Sequence, residues 1–272
     1  MMTQFNGSRF LEGRHAVIFG AGGSIGGAVA KELAADGAEV FLSGRNMANV
    51  EAVAKEIMTQ GDRAHVAVID AVSDAAVDEY MDGIAGHAGS IDIVFNAIGP
   101  LAADYGNGKH ATDLTVEEFM VPITTIVKSQ FITARAAARH MVKQRSGVII
   151  FLTGSPARGH VEGATAIGTA FGAIETFMEN LAVEVSPSGV RAVCLRTTAN
   201  TDSRTIQETM DILGSRMGAT REQMIARLAS GNFLKVPASV RDTARGVAFL
   251  ASDGARLMTG TVVNSSAGAA LD

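Results

Sequence analysis

Seven short apolar runs alternate along the chain with longer segments in which apolar residues recur at helical spacing. The runs lack a clean alternation of apolar and polar positions, which is typical of strands in a parallel sheet covered on both faces. We predict strands at 15–20, 38–43, 64–69, 91–96, 147–152, 190–195 and 261–264, and helices at 24–36, 46–60, 73–87, 115–144, 162–185 and 239–252. This order predicts an α/β fold with one doubly wound parallel sheet of about seven strands flanked by helices.

No linker, repeat or low-complexity block divides the chain, so we predict a single domain over residues 1–272. The polar, methionine-rich segment around 199–235 is predicted to be a substrate-loop insertion before the last helix. In a doubly wound sheet it would lie at the carboxyl ends of the strands, where ligands bind.

Composition narrows the class of protein. The chain is 47% hydrophobic, which is enough for a sizeable core, and its net charge of −5 does not favour nucleic-acid binding. Cys194 is the only cysteine, so an internal disulfide is excluded. Residues 1–14 contain no apolar core of a signal peptide, and no apolar run approaches the roughly 20 residues that span a bilayer. We therefore expect a cytoplasmic protein with no membrane partner.

The first predicted strand ends in the glycine-rich run GAGGSIG, and a helix follows directly. Glycines in such a turn let the backbone approach a pyrophosphate, while the free N–H groups of the helix face the phosphates. This context favours a dinucleotide site over a purely structural turn. The candidate cofactor-binding residues of the turn are Gly20, Gly23, Ser24 and Ile25.

The end of the second predicted strand bears on the choice between NAD and NADP. A carboxylate there would bind the ribose diol of NAD, but the run SGRN contains none. It offers Arg45 instead, and a guanidinium can hold a 2′-phosphate with charge-assisted hydrogen bonds. We predict a preference for NADP(H); the alternative is a solvated surface arginine.

Polar or small residues also end the third and fourth strands. Asp70 is a candidate acceptor for an adenine amino group, or else it caps the helix that begins near Ser73. Asn96 either joins two strands or lines the cofactor cleft, and Ala97 follows it as a further candidate for cofactor binding.

These features resemble the short-chain dehydrogenase/reductase family over essentially the whole chain. The glycine turn is similar to the family's TGxxxGxG, VFNAIG at 94–99 resembles NNAG, and the segments 236–253 and 259–263 resemble its last helix and strand. The resemblance implies a Rossmann-type domain, a nicotinamide cofactor, a small-molecule substrate and a homodimer or homotetramer built on two long helices. Ser24 replaces a glycine of the motif, and we expect it to cap the first helix and to donate toward phosphate.

The chain departs from the family at the catalytic positions. The resemblance implies an Asn, a Ser, a Tyr and a Lys, and counting along the chain from the matching segments places them at Ile126, Gly154, Ile167 and Phe171. None of these four residues can give a proton to a carbonyl or lower the pKa of a neighbouring tyrosine.

A tyrosine–lysine pair at the family's spacing does occur, but in another place. Tyr105 and Lys109 lie in the loop after the fourth strand, where Gly106 and Gly108 disfavour a helix. Without a helix the two side chains need not share a face. We interpret the spacing as a coincidence, although Tyr105 can still line a substrate pocket.

Other polar residues are candidates to replace the missing catalytic groups. Ser155 lies next to the lost serine and is the candidate catalytic residue; its alternative is a turn residue before a proline. His160 is a second candidate acid whose alternative is a solvated loop, and Glu162 is expected to begin the next helix. No metal-ligand spacing is present in the sequence.

The sequence thus predicts an atypical NADP(H)-dependent oxidoreductase of a small organic substrate, with a non-standard proton donor. One alternative is a catalytically inactive NADP(H)-binding sensor or a partner of an active homologous subunit. The other is a non-redox enzyme that uses an apolar cleft near Ile167 and Phe171.

Overall fold

The computed structural model describes residues 9–272, except for the side chain of Arg216. The first part of the stretch in which we expect no signal peptide, residues 1–8, lies outside the described residues. Seven strands form one parallel sheet in the order β3-β2-β1-β4-β5-β6-β7. They are β1 (His15–Phe19), β2 (Glu39–Gly44), β3 (Ala64–Val68), β4 (Ile93–Asn96), β5 (Gly147–Gly154), β6 (Val190–Thr197) and β7 (Thr261–Ser265).

Helices cover both faces of this sheet. They are α1 (Ser24–Ala35), α2 (Met47–Thr59), α3 (Asp74–Ala88), α4 (Val116–Pro122), α5 (Lys128–Gln144), α6 (Thr165–Val185), α7 (Arg204–Met217), α8 (Arg221–Gly231) and α9 (Val240–Ala251). Alternate residues of β1 enter opposite cores: Val17 and Phe19 pack with α3, α5 and α6, while Ala16 and Ile18 pack with α1, α2 and α9. Burial on both faces explains why the strands read as continuous apolar runs.

The sheet order reverses between β1 and β4. The chain winds outward from β1 to β3, returns to β4 beside β1, and then winds the other way. The carboxyl ends of β1 and β4 therefore diverge into a crevice, which is where open α/β sheets bind ligands. The fold class predicted from sequence is confirmed.

The predicted helix over 115–144 is divided. A five-residue π-helical turn (Ile123–Val127) separates α4 from α5, directly after Pro122 inside the helix. Proline lacks an N–H and its ring crowds the carbonyl of the preceding turn, so the regular hydrogen-bond ladder is interrupted there. Turns of this kind often occur at functional sites.

The segment around 199–235 folds into two helices, α7 and α8. Ser203 and Thr220 cap them by accepting hydrogen bonds from the backbone N–H groups of Ile206 and Gln223. The base of the segment is closed because the Thr201 N–H donates to the Ala238 carbonyl at 2.9 Å. The helices therefore follow β6 at the same edge of the sheet as the crevice.

A buried ion pair joins α6 to the ends of β5 and β6. Arg196 Nε and Nη2 donate to the two carboxylate oxygens of Glu175 at 2.8 and 2.9 Å, and the Thr153 hydroxyl donates to the same carboxylate at 2.9 Å. Arg196 also donates to the Asp272 carboxylate. These hydrogen bonds, first those of Glu175, hold the pKa of Arg196 above its usual range.

Within residues 9–272, no helix combines the length and the apolar character needed to cross a membrane.

Candidate cofactor and substrate site

The turn between β1 and α1 has a shape that only glycine allows at two positions. Gly20 has φ +76°, and a Cβ there would lie 3.1 Å from the carbonyl carbon of Ala97. A Cβ on Gly26 would lie 2.3 Å from the Gly20 carbonyl oxygen. The turn is thus closed on itself and against the end of β4, as a backbone cradle for phosphate requires.

The start of α1 differs from expectation in its cap. Gly23 is the N-cap residue and Ser24 is the first residue of the helix, so the expectation that Ser24 caps the helix is wrong. The exposed Ser24 hydroxyl instead accepts a hydrogen bond from the backbone N–H of Arg204, the first residue of α7, at 3.2 Å. Ile25 packs partly buried against the core beneath the turn. The first-turn N–H groups of α1 remain available to a phosphate.

Arg45 lies exposed just beyond the end of β2. Within the described part of the chain, its guanidinium has no hydrogen-bond or ion-pair partner. The neighbouring Asn46 caps α2 by accepting from the Asn49 N–H at 3.2 Å, and a Cβ on Gly22 would lie 2.9 Å from Asn49 Cβ. The start of α2 therefore abuts the glycine turn, and Arg45 stands beside it.

Asp70 lies exposed after β3, near the start of α3. Its carboxylate accepts the Val72 N–H at 3.2 Å, but Ser73 is the N-cap residue of α3. The alternative role as a helix cap is therefore not what the structure shows. The second carboxylate oxygen stays free to accept a hydrogen bond from a ligand.

Asn96 is buried at the end of β4 and joins it to a helix rather than to another strand. Its amide donates to Ser129 and Thr133 of α5 at 3.3 and 3.1 Å, and its side-chain oxygen accepts the Ile98 N–H at 2.9 Å. The link between strands at this point comes from the backbone, where the Ala97 N–H donates to the Phe19 carbonyl at 2.9 Å.

The four positions that the family resemblance assigns to catalysis lie at this same edge. Ile126 is buried in the π-helical turn, Gly154 ends β5, and Ile167 and Phe171 stand one turn apart on α6. Ile126 and Ile167 belong to one buried apolar cluster, against which Phe171 packs. A Cβ on Gly154 would lie 2.9 Å from Phe171 Cε2, so the phenylalanine ring occupies the space beside that glycine.

Ser155 begins a short 3-10 turn after β5 (Ser155–Ala157). Its carbonyl accepts the N–H groups of Arg158 and Gly159 at 3.1 and 2.7 Å. Its half-buried hydroxyl has no hydrogen-bond partner among the described residues. The structure therefore shows the turn that was the alternative role of Ser155, and its catalytic role stays a prediction.

The structure separates the tyrosine and lysine of the Tyr-x-x-x-Lys run. Tyr105 ends a 3-10 turn (Ala102–Tyr105) and is 6% exposed, while Lys109 Nζ pairs with Glu118 Oε1 of α4 at 2.5 Å. Gly106, with φ +62°, ends the turn between them. The two side chains do not act on each other.

The remaining candidate acids lie in solvent. His160 is exposed, with φ +47°. Glu162 precedes α6 instead of beginning it, because Gly163 has φ +76° and interrupts the helix; α6 starts at Thr165. Glu162 Oε1 lies 3.6 Å from His110 Nε2. Among the described residues, no three His, Cys, Asp or Glu side chains are grouped so as to hold a metal.

Two cavities lie away from the crevice. One of about 500 Å³ lies between α1 and α2 and is lined by charged residues that include Arg9, Lys31 and Glu56. The other, of about 190 Å³, lies at the amino ends of the strands, beside Arg14 and Arg256. Neither is lined by the glycine turn, so the case for a nucleotide site depends on the geometry of the turn.

The sequence did not point to the link between the glycine turn and α7. Ser24 and Arg204 are 180 residues apart in the chain, and no local pattern joins them. Their contact brings the first turn of α7 beside the first turn of α1, so two helix amino termini converge on the crevice. The signal that the sequence offers for this contact is Ser24 itself, which replaces a glycine of the family's motif.

Comparison with known proteins places these features in a family. The model described as enoyl-(acyl carrier protein) reductase matches residues 20–270. Versicolorin reductase stcU of Emericella nidulans is 31% identical over 266 residues, which cover 95% of this chain and 96% of that protein. NAD⁺-bound xylitol dehydrogenase has a TM-score of 0.87 at 24% identity, covering 95% of this chain and 99% of its own. Actinorhodin polyketide ketoreductase with NADPH has a TM-score of 0.85 at 18% identity, covering 94% of this chain and 97% of its own.

The two solved structures show a shared fold, one with each nicotinamide cofactor. The family match extends over nearly the whole chain and includes the glycine turn, the strand ends and α9. The chain belongs to the short-chain dehydrogenase/reductase family.

Proposed function

We propose that the protein is an NADP(H)-dependent oxidoreductase that acts on a small organic substrate with a non-standard proton donor. The observation that carries the proposal is the glycine turn, where a Cβ at position 26 would lie 2.3 Å from the Gly20 carbonyl oxygen. A turn closed this tightly at a helix amino terminus fits a pyrophosphate. Bound NADP(H) would supply the hydride.

The residues around the crevice suit the parts of a dinucleotide. The backbone at Gly20, Gly23, Ser24 and Ile25 would hold the pyrophosphate, with the Ser24 O–H free to donate because its oxygen accepts from Arg204. The free carboxylate oxygen of Asp70 would accept from the adenine amino group. Asn96 and Ala97, at the end of β4, would lie beside the nicotinamide half.

Arg45 is the residue that we propose selects NADP(H). It is exposed, unpaired within the described chain and adjacent to the turn, and no carboxylate ends β2 to bind a ribose diol. Its guanidinium would make two charge-assisted hydrogen bonds to a 2′-phosphate, each stronger than a neutral one. NADH lacks this phosphate and gains nothing from the arginine.

Titration with NADPH and NADH, followed by nicotinamide fluorescence, tests this proposal. We expect NADPH to bind more tightly, and we expect Arg45→Ala to weaken NADPH binding by about tenfold or more while leaving NADH unchanged. Arg256→Ala is the matched control, because that exposed arginine lies at the amino-end cavity on the opposite edge of the sheet. An unchanged ratio of the two affinities in Arg45→Ala would contradict the assignment.

The lack of a proton donor at the four catalytic positions favours a substrate that needs little acid catalysis. Ile126 and Ile167 are buried, and Phe171 covers Gly154, so none of the four positions offers a strong acid. An activated enone or an imine needs less help from an acid than a simple ketone, and the description of the matched model names an enoyl reductase. Ser155 would hydrogen-bond the substrate, and water would supply the proton.

The second candidate is a catalytically inactive NADP(H)-binding subunit that acts as a sensor or as the partner of an active homologue. The packing of Phe171 beside Gly154 favours it, since this space is filled by the protein itself. Oxidation of NADPH with a panel of ketones, enones and imines distinguishes the two. Turnover of an enone or imine supports the enzyme, whereas tight NADPH binding without any turnover supports the subunit.

We extend the proposal to a cytoplasmic homodimer or homotetramer. The two longest helices, α5 and α6, carry exposed apolar side chains at Phe131, Val142 and Val183, which suit an interface between copies. Light scattering on the purified protein would measure the mass. A monomer at all concentrations would contradict this part of the proposal.

A further inference from the structure

Tyr105 lies in the loop between β4 and α4, at the edge of the sheet where the crevice opens. Its ring belongs to the same buried cluster as Ile126 and Ile167, the positions that the resemblance assigns to a catalytic asparagine and tyrosine. Phe171 of α6 and Ile212 of α7 pack against this cluster. Tyr105 thus carries a hydroxyl into this apolar cluster, from a loop that does not carry the family's catalytic residues.

The loop that carries Tyr105 is fixed on three sides. The Gly108 N–H donates to the Gly163 carbonyl at 2.8 Å before α6, and Asn107 Nδ2 donates to the Thr209 hydroxyl of α7 at 3.4 Å. On the third side, Lys109 pairs with Glu118 of α4. The elements that border the crevice therefore hold the phenol in place.

The hydroxyl of Tyr105 makes no hydrogen bond within the described chain. Burial raises the pKa of Tyr105 to about 12. Among the described side chains, Arg135 Nε is the only polar atom that is both sealed from solvent and without a partner. The Tyr105 hydroxyl is therefore not completely sealed from solvent, although the residue is only 6% exposed, and its hydrogen-bonding capacity is left to a ligand.

We propose that the Tyr105 hydroxyl donates the hydrogen bond that anchors a carbonyl oxygen of the substrate in the crevice. This inference depends on the proposed function, since the ligand shares the crevice with NADP(H). The ligand is a small, mostly apolar molecule whose carbonyl oxygen accepts from Tyr105, because the cluster around the phenol is apolar. Because burial raises its pKa, Tyr105 is a weak acid that keeps its proton at neutral pH, and its role is to position the substrate by a hydrogen bond.

The chain allows a direct test because it has two tyrosines and no tryptophan. Protein labelled with 3-fluorotyrosine gives two ¹⁹F resonances, and Tyr80→Phe assigns the one that belongs to Tyr105. Tyr80 is the matched control: it lies on α3 and packs edge-on against Phe19 with ring centroids 6.0 Å apart. Cyclohexenone is titrated into the protein loaded with NADP⁺, which cannot supply a hydride.

We expect cyclohexenone to shift the Tyr105 resonance and to leave the Tyr80 resonance in place. Tyr105→Phe should weaken cyclohexenone binding roughly 3- to 10-fold, as loss of one neutral hydrogen bond predicts, whereas Tyr80→Phe should not change it. Since the hydroxyl has no partner in the protein, Tyr105→Phe should melt at the temperature of the unchanged protein.

Two outcomes would overturn the inference. One is an unmoved Tyr105 resonance up to the solubility limit of cyclohexenone; the other is equal cyclohexenone affinity in Tyr105→Phe and the unchanged protein. The NADPH titration is read separately in both proteins. Failure to bind NADPH removes the proposed function, whereas normal NADPH binding without a response at Tyr105 removes only this inference.

Discussion

The space around Gly154 is limited by one aromatic ring. Gly154 has an ordinary extended conformation that any residue could adopt, yet Phe171 Cε2 lies 2.9 Å from the place of its missing Cβ. The absence of a side chain at position 154 is thus a matter of space and not of backbone geometry. The polar group that the family resemblance implies there would have to displace an aromatic ring.

We predict that Gly154→Ala destabilises the protein by about 1–3 kcal/mol, because a methyl group overpacks the site. Gly172→Ala is the matched control on α6, since a Cβ there meets no atom within 4 Å. It should stabilise the helix by about 0.5–1 kcal/mol. Urea unfolding of both variants measures the difference, and Gly154→Ala in a Phe171→Ala background should cost less than in the unchanged chain.

The serine of the glycine turn shows what local reasoning misses at this scale. The sequence predicted a cap because serine is a good N-cap residue, but Gly23 takes that position and Ser24 finds its partner in Arg204. Such a partner comes from tertiary packing and leaves no trace in the neighbouring residues. The glycines at 20 and 26, in contrast, were predictable because their need for space is local.

Whole strands and helices were predicted more closely than their ends. Every strand lies within two residues of its predicted bounds, since apolar runs and turn residues mark them. β5 and β6 extend two residues further because Thr153 pairs with Arg196 and Gly154 with Thr197. In the sequence, the charged Arg196 indicates the end of a strand. It is buried within β6 because it pairs with Glu175 of α6.

This buried ion pair gives a prediction about how the elements are joined. Glu175→Gln should lower the free energy of unfolding by about 3–5 kcal/mol, because it leaves the Arg196 guanidinium buried without a compensating charge. Glu179→Gln is the control on the exposed face, one turn later on α6. Urea unfolding compares them, and equal midpoints for the two variants would show that Asp272 alone satisfies Arg196.

The topology of the whole molecule follows from rules that need little detail. Alternating strands and helices, joined by right-handed crossovers, give a doubly wound sheet with a crevice where the order reverses. The arrangement of α7 and α8 did not follow, because their contacts are with distant loops such as the one at Asn107. Function is likewise only partly readable, since it depends on which side chains meet in the crevice.

A global property follows from the lone thiol. Burial raises the pKa of Cys194 from 9.0 to about 12. The folded thiol therefore stays protonated while the unfolded one ionises, and stability is lost as the pH rises from 9 toward 12. The loss should approach about 1.4 kcal/mol per pH unit from this group. Cys194→Ala should show a shallower decline than the unchanged protein when urea unfolding is measured across this range; parallel curves would contradict the assignment.

The contact between Phe171 and Gly154 also constrains the order in which this sequence can change. A serine at 154 meets the ring at once, so the substitution is penalised until residue 171 has become smaller or more flexible. A smaller residue at 171 brings no serine-dependent activity by itself, and selection for that activity therefore sees no benefit in the first step. A path from the present sequence to one with a serine at 154 thus requires a substitution at Phe171 first, and that substitution gives no advantage on its own.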